Sequence, residues 1–300
     1  MLNPVIYARE FSFKEEQEIA KQYFPVYNYI TEIPKDSLII PRYSLLPFGR
    51  DLERDVKNLG STLINSYKEH QYVADIQNWY PDLEGETPQT WFSVEEIPYN
   101  EEGPFVVKGR TNSRKHDWAT KMFAPSKILL GEIIGNLLDD PFISAQGICI
   151  RKFWPLKTYM TGLNGLPITE EYRCFVLDGE LLSCDFYWQN YEEDLKEKNI
   201  YSRPNTKTLQ TIKSYVKKLN LKLRNKIRFY VIDVAKLCFN NPDYGECFCV
   251  VELNDGTMSG LSCIDPHLFY STLKERLNVQ TNTRDSISAA FGERSIQIQP

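Results

Sequence analysis

Short apolar runs alternate with amphipathic segments in the first part of the chain. The runs at residues 4–8 and 38–40 predict two buried strands, and Ser12-x-x-Glu15 is a capping box that predicts a helix reaching about Tyr23. A second helix is predicted from Asp51. Its apolar residues at helical spacing are Leu52, Val56, Leu59, Leu63 and Tyr67. This β-α-β beginning is typical of a small α/β lobe.

Two strands and one helix are predicted in the middle of the chain. Residues 75–104 are rich in Pro, Gly, Glu and Trp without sustained periodicity, so we place a lobe boundary there. The runs FVVK at residues 105–108 and GICIRKF at residues 147–153 predict strands. Between them a helix is predicted from Pro125 to Leu138, with an apolar stripe of Ile128, Leu129, Ile133, Leu137 and Leu138.

The C-terminal half predicts four strands and two helices. Runs at residues 172–177 and 180–188 flank Asp178-Gly179, a strong signal for a tight hairpin. Residues 209–227 predict a basic amphipathic helix, whose polar face is either solvated, the interpretation we favour, or a patch for an acidic partner or RNA. Strands are also predicted at residues 228–236 and 247–254, and a short helix at residues 266–277.

Composition limits the class of protein. The 300 residues are 42% hydrophobic and 25% charged, as in most soluble globular proteins. A formal net charge of -5 argues against a protein that coats nucleic acid. The seven cysteines are odd in number and lack zinc-site spacing, which fits a reducing cytosol. The start MLNPVIYARE does not resemble a secretory signal and no apolar run reaches membrane-span length, so we expect a cytoplasmic protein without a membrane partner.

Acidic and amide side chains end the last two predicted strands. Side chains alternate between the faces of a strand, so we expect Phe248, Val250, Glu252 and Asn254 to share one face, near Asp233 of the preceding strand. Hard oxygen ligands of this kind suit Mg²⁺. The alternative is that these are strand-end residues facing water.

Basic side chains end the other predicted strands. Lys108 precedes the donor-rich loop 109–117, which can hold phosphates, although a plain surface hairpin is the alternative and the loop does not match GxxxxGK[ST]. Arg151 and Lys152 point to opposite faces of their strand. Arg173 lies on an apolar face and should meet an anion, either a carboxylate such as Glu171 or a ligand phosphate.

The order of these residues resembles a known family. The pattern is similar to that of the ATP-grasp superfamily. It is carried by FVVKGRTNSRKHDW, GICIRKFWPLKTYMTGLNGLPITEEYRCFV and VIDV with VVELN. Within it the pattern resembles the divergent clade defined by two arginines and a lysine, in its phage and bacterial members. That clade is related to the eukaryotic ATP-grasp chaperones that assemble a translation-initiation factor. The resemblance covers roughly residues 42–265.

The resemblance implies roles for the basic residues. Lys108 looks like the phosphate-contacting lysine of the first ATP-grasp lobe. Arg151 with Lys152 looks like the strand leading to the adenine-binding hinge, and Arg173 resembles the arginine set toward the transferred phosphoryl group. Lys108, Arg151 and Arg173 are therefore the expected catalytic residues, and together with Lys152 they are also expected to contact ATP.

The resemblance also implies a metal site and a reaction. Asp233, Glu252 and Asn254 resemble the Mg²⁺ ligands of the family. In most ATP-grasp enzymes ATP phosphorylates a carboxylate, and an amine then attacks the acyl phosphate to give an amide and ADP. Such phosphoryl transfer depends mainly on positioning and on neutralising spread negative charge.

One departure from the family concerns the loop that covers the triphosphate. Typical ATP-grasp enzymes have a glycine-rich loop, whereas the loop after Lys108 has only Gly109 and is filled with polar side chains. Ser113 and Arg114 are expected to contact ATP. His116 is either a further contact with the triphosphate or acceptor, or a loop histidine with no chemical role.

We therefore expect an α+β ATP-grasp fold in which two lobes clasp ATP, preceded by a small α/β lobe. The expected divisions are residues 1–92, 93–147 and 148–280, followed by a tail at 281–300. The leading hypothesis is an ATP- and Mg²⁺-dependent carboxylate-amine ligase acting on a protein or peptide, with an amine donor. The alternatives are an ATP-dependent assembly chaperone without ligase activity, and a nucleotidyltransferase or RNA ligase, although a nucleic-acid partner is not expected.

Overall fold

The structure is a computed structural model that describes residues 2–9, 14–45, 49–200, 203–241 and 245–278. The chain divides into two compact units, residues 1–64 with 265–300, and residues 65–264. This division lies earlier than the boundary at residue 92 that composition predicted. It also groups the C-terminal helix at residues 266–278 with the first unit, whereas the expected divisions kept it with residues 148–280.

The first unit is built on a parallel sheet. Its elements before the C-terminal helix are β1 (Asn3–Tyr7), α1 (Lys14–Ala20), β2 (Val26–Tyr27), β3 (Ser37–Pro41), α2 (Gly49–Asn58) and β4 (Thr62–Leu63). The strands lie in the order β2-β1-β3-β4, and all neighbouring pairs are parallel. The predicted β-α-β beginning is confirmed. Ile6, Ile39 and Ile40 are fully buried, as expected for strands of a parallel sheet.

A buried polar cluster joins the C-terminal helix to this sheet. The Arg42 guanidinium, just after β3, donates to Glu16 of α1 at 2.9 Å through Nε, and its Nη2 lies 2.8 Å from the same carboxylate oxygen. The Tyr270 hydroxyl donates to that oxygen at 2.6 Å. Tyr270 thus connects the C-terminal helix with Glu16 and Arg42 of the first unit.

Two details of the first unit differ from the predictions. Helix α1 ends at Ala20 rather than about Tyr23, and the predicted cap Ser12 lies outside the described residues. Helix α2 ends at Asn58, and Gly60 has a positive φ of 71° that the right-handed helix does not allow. The prediction that Leu63 and Tyr67 continue this helix is therefore wrong, since Leu63 lies in β4 and Tyr67 starts the next helix.

The second unit contains three antiparallel sheets and six α-helices within its described residues. Its helices are α3 (Tyr67–Ala74), α4 (Ile76–Trp79), α5 (Lys127–Leu138), α6 (Pro141–Gln146), α7 (Glu192–Glu197) and α8 (Thr206–Leu223). Its strands are β5 (Thr90–Trp91), β6 (Phe105–Gly109), β7 (Phe123–Ala124), β8 (Ile148–Lys152), β9 (Thr158–Thr161), β10 (Pro167–Thr169), β11 (Glu171–Leu177), β12 (Glu180–Phe186), β13 (Phe229–Asn241) and β14 (Gly245–Asp255). The sheets have the orders β5-β8-β6-β7, β10-β9 and β12-β11-β13-β14.

The predicted hairpin between β11 and β12 is confirmed. Asp178 and Gly179 have φ values of 50° and 82°, the left-handed conformation that two-residue hairpin loops require. Helix α8 is also confirmed, although it ends at Leu223 rather than at residue 227. Its buried residues Ile212, Val216 and Leu219 pack in the core beneath the four-stranded sheet of β11 to β14.

A β-bulge separates two residues that the alternation pattern placed together. Asp233 pairs with Glu252, but its neighbour Val234 pairs with Val250, so Val251 is an extra residue in β14. Val250 consequently packs in the hydrophobic core with Val234. The prediction that Phe248 and Val250 share a face with Glu252 is wrong, because the bulge reverses the alternation between them.

Helix α5 buries a different stripe from the predicted one. Leu130, Ile133 and Leu137 are buried, whereas Ile128 and Leu129 are exposed. The helix is apolar on almost its whole circumference, so the pattern alone could not select the buried side. Among the described residues, no helix combines the length and the apolar character needed to cross a membrane.

Candidate functional site

Four charged residues form a row across the sheet of β11 to β14. Asp185 of β12 lies opposite Arg173 of β11, Arg173 opposite Asp233 of β13, and Asp233 opposite Glu252 of β14. Residues directly opposite one another on neighbouring strands point to the same face of a sheet. The register of three strand pairs therefore collects charges that are far apart in sequence.

Arg173 and Asp233 form a two-pronged ion pair in this row. The Arg173 Nε and Nη2 groups donate to the two Asp233 oxygens at 2.9 and 2.8 Å, and Nη1 donates to the Gly260 carbonyl at 3.0 Å. The guanidinium also lies 4.7 Å from the centre of the Tyr187 ring. Burial alone lowers the pKa of Arg173, but the Asp233 carboxylate outweighs it and raises that pKa. Arg173 thus faces a protein carboxylate, and this is Asp233 rather than Glu171.

Lys108 connects Glu252 to the other four-stranded sheet. Lys108 is the buried penultimate residue of β6, and its ammonium donates to Glu252 Oε1. Both side chains are mostly buried, with 8% and 17% of their surfaces exposed. Burial raises the pKa of a carboxyl, but the ammonium groups of Lys108 and Lys115 outweigh it and lower the pKa of Glu252 to about 2. Glu252 is therefore an ionised carboxylate at neutral pH.

Lys115 is a second cation at this site. Its ammonium donates to the Tyr187 hydroxyl at 2.8 Å and lies 4.1 and 5.0 Å from the ring centres of Tyr187 and Trp188. Burial opposes its charge, but Tyr187, Glu171 and Glu252 together raise the pKa of Lys115. The sequence showed Lys115 only as one of several polar loop residues. Its aromatic partners lie about 70 residues later in the chain, so no local signal distinguishes it.

Arg151 is held entirely by groups of the protein. It is 6% exposed, and Nη1 donates to the Val251 carbonyl at 2.7 Å while Nη2 donates to Thr87. Lys152, the next residue, is half-exposed and lies 2.6 Å from Glu101. The two side chains therefore point to opposite faces of β8, as alternation predicts. Arg151 holds the β-bulge of β14 through Val251, next to Glu252.

The loop residues 109–117 are distributed between different places. Ser113 lines the cavity described below. Arg114 is paired instead with Asp140, whose carboxylate accepts a hydrogen bond from the Phe142 amide at 2.9 Å and caps α6. The exposed His116 offers only its backbone carbonyl, which accepts from Asn164 at 2.7 Å. The geometry brings Ser113 to the site and leaves Arg114 away from the residues that line it.

A cavity lies at the Glu252 end of the charged row, between polar and apolar side chains. Its polar wall contains Lys108, Ser113, Lys115, Arg151, Lys152, Glu171 and Glu252, and its apolar wall contains Val106, Trp118, Met122, Phe153, Trp154, Leu156, Leu166 and Val250. The free volume is about 130 Å³. Pockets for small ligands usually have about 300–1,000 Å³. The side chains of the polar wall thus fill part of the space that a ligand would need.

Glu171 is a buried carboxyl in the cavity wall. It is 3% exposed, its Oε2 accepts from the Thr169 hydroxyl at 3.1 Å, and its Oε1 has no hydrogen-bond partner in the described chain. Burial raises the pKa of Glu171 to about 7, against the opposing charge of Lys115. The sequence singled out Glu171 only as a possible partner of Arg173.

The three residues predicted as metal ligands share one face of the sheet. Asn254 follows Glu252 by two residues in an unbroken part of the ladder, so it points to the side that carries Glu252 and Asp233. Glu252 lines the cavity, whereas Asn254, Asp233 and Arg173 do not. No group of three or more His, Cys, Asp or Glu residues arranged for a metal is present in the part of the chain that the structure describes.

Comparison with known families identifies the fold of residues 96–273. The family model of an ATP-grasp domain, the third family of the clade defined by two arginines and a lysine, matches residues 96–273, more than half of the chain. The chain belongs to this ATP-grasp family. The expected α+β ATP-grasp fold is thereby confirmed, and so is the resemblance to the clade. A search of curated protein sequences finds no significant match.

Solved structures of other ATP-grasp proteins are similar over most of the chain. D-cycloserine synthetase DcsG shares 10% identity at a TM-score of 0.56, covering 91% of this chain and 99% of its own. The ATP-grasp ligase PsnB, complexed with precursor peptide PsnA2 and AMPPNP, shares 10% identity at a TM-score of 0.53, covering 93% and 98%. N5-Carboxyaminoimidazole synthetase from Staphylococcus aureus shares 9% identity at a TM-score of 0.54, covering 89% and 76%. At these identities the similarity shows the fold alone.

Proposed function

We propose that the protein is an ATP- and Mg²⁺-dependent carboxylate-amine ligase that forms ADP and modifies a protein or peptide. Membership in the ATP-grasp family supports ATP as the substrate. Proteins of similar fold are named as ligases or synthetases, and PsnB was solved with a precursor peptide and AMPPNP. These similarities support the class of reaction, whereas the peptide or protein substrate is part of the proposal.

The observation that carries the proposal is a set of paired cations and carboxylates, of which Lys108, Lys115 and Glu252 line the cavity and Arg173 and Asp233 continue the strand row from Glu252. Lys108 is paired with Glu252, and Arg173 with Asp233. Lys115 is held by the Tyr187 hydroxyl. A triphosphate entering the cavity offers Lys108 and Lys115 new partners, because phosphate oxygens accept charge-assisted hydrogen bonds as strongly as carboxylates do. Movement of Lys108 onto phosphate would also leave Glu252 free as a ligand for a metal ion.

The donor set fits Mg²⁺ in its chemistry. Glu252 is ionised at neutral pH since its pKa is lowered to about 2, and Asp233 and Asn254 point to the same face. Carboxylate and amide oxygens are ligands that Mg²⁺ accepts, with the remaining positions taken by water and phosphate. Asp233, Glu252 and Asn254 would therefore hold the ion. When bound, Mg²⁺ neutralises charge on the phosphates of ATP.

The chemistry proceeds in two steps. A carboxylate oxygen of the acceptor attacks the γ-phosphorus, the bond from that phosphorus to the β,γ-bridging oxygen breaks, and ADP leaves. The amine nitrogen then attacks the carbonyl carbon of the acyl phosphate, inorganic phosphate leaves, and the nitrogen loses a proton. Lys108, Lys115 and Arg173 stabilise the negative charge that spreads over the transferred group.

The other predicted nucleotide contacts have different geometric support. Ser113 lines the cavity and can donate its hydroxyl to a phosphate. Lys152 also lines the cavity, near Phe153 and Trp154, where an apolar wall suits the adenine ring. Arg151 acts through Val251, because its donors are already bound to the protein. Arg114 remains a predicted contact that would require it to leave Asp140.

The experiment that tests the proposal uses ATP labelled at the α-phosphate. The purified protein is incubated with Mg²⁺ and labelled ATP, with and without lysate of its own source, and the nucleotides are separated. We expect ADP that depends on the lysate, because the acceptor and the amine are supplied there. Mass spectrometry of the lysate proteins then identifies the modified one.

The control variant is Glu252→Gln, which keeps the shape of the side chain and removes its charge. It should yield no ADP above background while retaining the circular dichroism spectrum of the wild type. Release of AMP would contradict the proposal and indicate nucleotidyl transfer. Tight binding of ATP without conversion would also contradict it and favour an ATP-dependent assembly chaperone.

A further inference from the structure

Large apolar side chains are concentrated on the surface of α5 and the start of α6. Ile128 is 90% exposed, Phe142 69%, Leu129 41% and Leu138 38%. The opposite side of α5 is buried in the core of the β5 to β8 sheet. Leu138 follows Leu129 by about 2.5 helical turns and so points to the other side of α5, whereas Ile128 and Leu129 are neighbours. An isolated exposed leucine needs no explanation, but exposed apolar side chains beside an apolar groove are typical of an interaction site.

A groove runs along one side of this surface. It is lined by Trp118, Ala119, Phe123, Pro125, Leu129, Glu132, Ile133 and Gly165, and has a volume of about 390 Å³. The Trp118 and Phe123 rings are stacked, with centres 5.9 Å apart and planes 13° apart. Trp118 also lines the candidate nucleotide cavity. The groove is therefore preformed by stacked aromatic rings and shares a wall with that cavity.

The exposed charges beside the apolar surface are negative. Glu132 and Asp139 are both exposed and lie seven residues apart, which is about two helical turns, so they point to the same side of α5. Within the part of the chain that the structure describes, neither forms an ion pair. The cation at the start of the helix, Lys127, is turned toward the carbonyls of Pro98 and Tyr99, at 3.1 and 3.4 Å. A complementary partner would combine apolar and basic side chains.

We propose that this face of α5, which we call the α5 surface, docks a basic amphipathic helix of a partner protein. Leucine-like side chains of the partner pack against Ile128, Leu129 and the groove, and its Lys or Arg residues pair with Glu132 and Asp139. The surface from Ile128 to Asp139 is about 16 Å long, enough for roughly three turns of a helix. The proposal does not depend on the ligase assignment.

The backbone of α5 allows a close approach at the centre of the surface. A Cβ atom added at Gly131 or at Gly135 would meet no atom within 4 Å, so both positions face open space. Helices pack with axes about 8–10 Å apart, and small residues at the contact favour the shorter distance. The apolar side chains of a docked helix can thus reach the groove without displacing α5.

The test measures binding of two labelled peptides to the full chain by fluorescence anisotropy at physiological salt. One is an eighteen-residue amphipathic helix of Leu and Lys, and the other has Glu in place of every Lys. We expect the Leu/Lys peptide to bind, and Ile128→Ser to weaken it at least tenfold. The double variant Glu132→Lys with Asp139→Lys should lose this peptide and gain the Leu/Glu peptide. Matched controls at exposed sites elsewhere, Leu221→Ser and Glu180→Lys, should bind like the wild type.

Three results would overturn the proposal. The first is an affinity that the α5 variants leave unchanged, and the second is an equal loss in the Leu221 and Glu180 controls. The third is a concentration-dependent dimer in analytical ultracentrifugation that Ile128→Ser abolishes, since a second copy would then cover the surface. Glu252→Gln should bind the Leu/Lys peptide like the wild type. Failure of docking is therefore distinguishable from failure of the proposed ligase activity.

Discussion

Replacing Glu171 by Gln should remove a pH-dependent loss of stability from the second unit. The Glu171 side chain is 3% exposed, and burial raises its pKa from 4.5 to about 7. A carboxyl with a raised pKa keeps its proton in the folded state after the unfolded chain has lost it. The raised pKa of Glu171 therefore makes its full contribution to the free energy of unfolding below pH 4.5. This contribution is lost as the pH rises through about 7.

The size of the effect follows from the two pKa values. The difference between pKa values of 4.5 and about 7 changes the free energy of unfolding by about 3 kcal/mol, at about 1.4 kcal/mol for each pKa unit. Between about pH 5 and about pH 8, the wild type should lose about 2.5 kcal/mol relative to Glu171→Gln. The amide of Gln can retain the hydrogen bond with Thr169 but does not titrate.

Tryptophan fluorescence is a suitable measure because the five tryptophans all belong to the second unit. They are Trp79, Trp91, Trp118, Trp154 and Trp188. Urea unfolding of both proteins would be followed at several pH values, without nucleotide and with a chelator to exclude divalent metals. The quantity compared is the difference in unfolding free energy between wild type and variant at each pH.

The reasoning would be refuted if that difference were independent of pH across this range. A variant that becomes less stable than the wild type as the pH rises would refute it as well, because the sign would then be that of a lowered pKa. A constant difference at all pH values would indicate a packing effect of the amide alone.

Further expected outcomes concern the ion pairs and the hairpin. Asp233→Asn and Glu252→Gln should each lower Mg²⁺-dependent ATP turnover at least about 100-fold, because the charge that faces the phosphates is lost; wild-type rates with an unchanged circular dichroism spectrum would contradict this. Lys108→Met leaves the buried Glu252 carboxylate without its partner, so urea unfolding at pH 7 should show a loss of about 3–5 kcal/mol. The double variant with Glu252→Gln should recover part of that loss, and no recovery would argue against the pair. Gly179→Ala should cost about 1–2 kcal/mol, because Gly179 has a φ of 82°; an unchanged midpoint of unfolding would show that the loop adapts.

Local patterns predicted several elements correctly because neighbouring residues decide them. The hairpin at Asp178-Gly179 and the buried stripe of α8 follow from turn chemistry and helical spacing. The prediction that Leu63 and Tyr67 belong to α2 was wrong, because the helix ends at Asn58, before Gly60 with its positive φ. A pattern of period 3.6 continues across such an end by chance.

The candidate site was only partly predictable. Lys108, Glu252 and Arg173 were identified by residue type and strand position, together with the resemblance to the ATP-grasp clade. Lys115 was not distinguished, and the pairing of Arg173 with Asp233 was not foreseen. Partners of buried charges lie on other strands, and the sequence does not state which strands become neighbours.

The sequence by itself determined the family, the α+β class and the residue types at the ends of the central strands. Only the tertiary structure decided which charges meet. Arg173 and Asp233 are 60 residues apart, and Lys108 and Glu252 are 144 residues apart. Each pair depends on a strand register or on the packing of two sheets. One extra residue, Val251, places Glu252 and Val250 on opposite faces of β14. The physical reason is that side-chain direction is a local property of a strand, whereas proximity results from the packing of the whole unit.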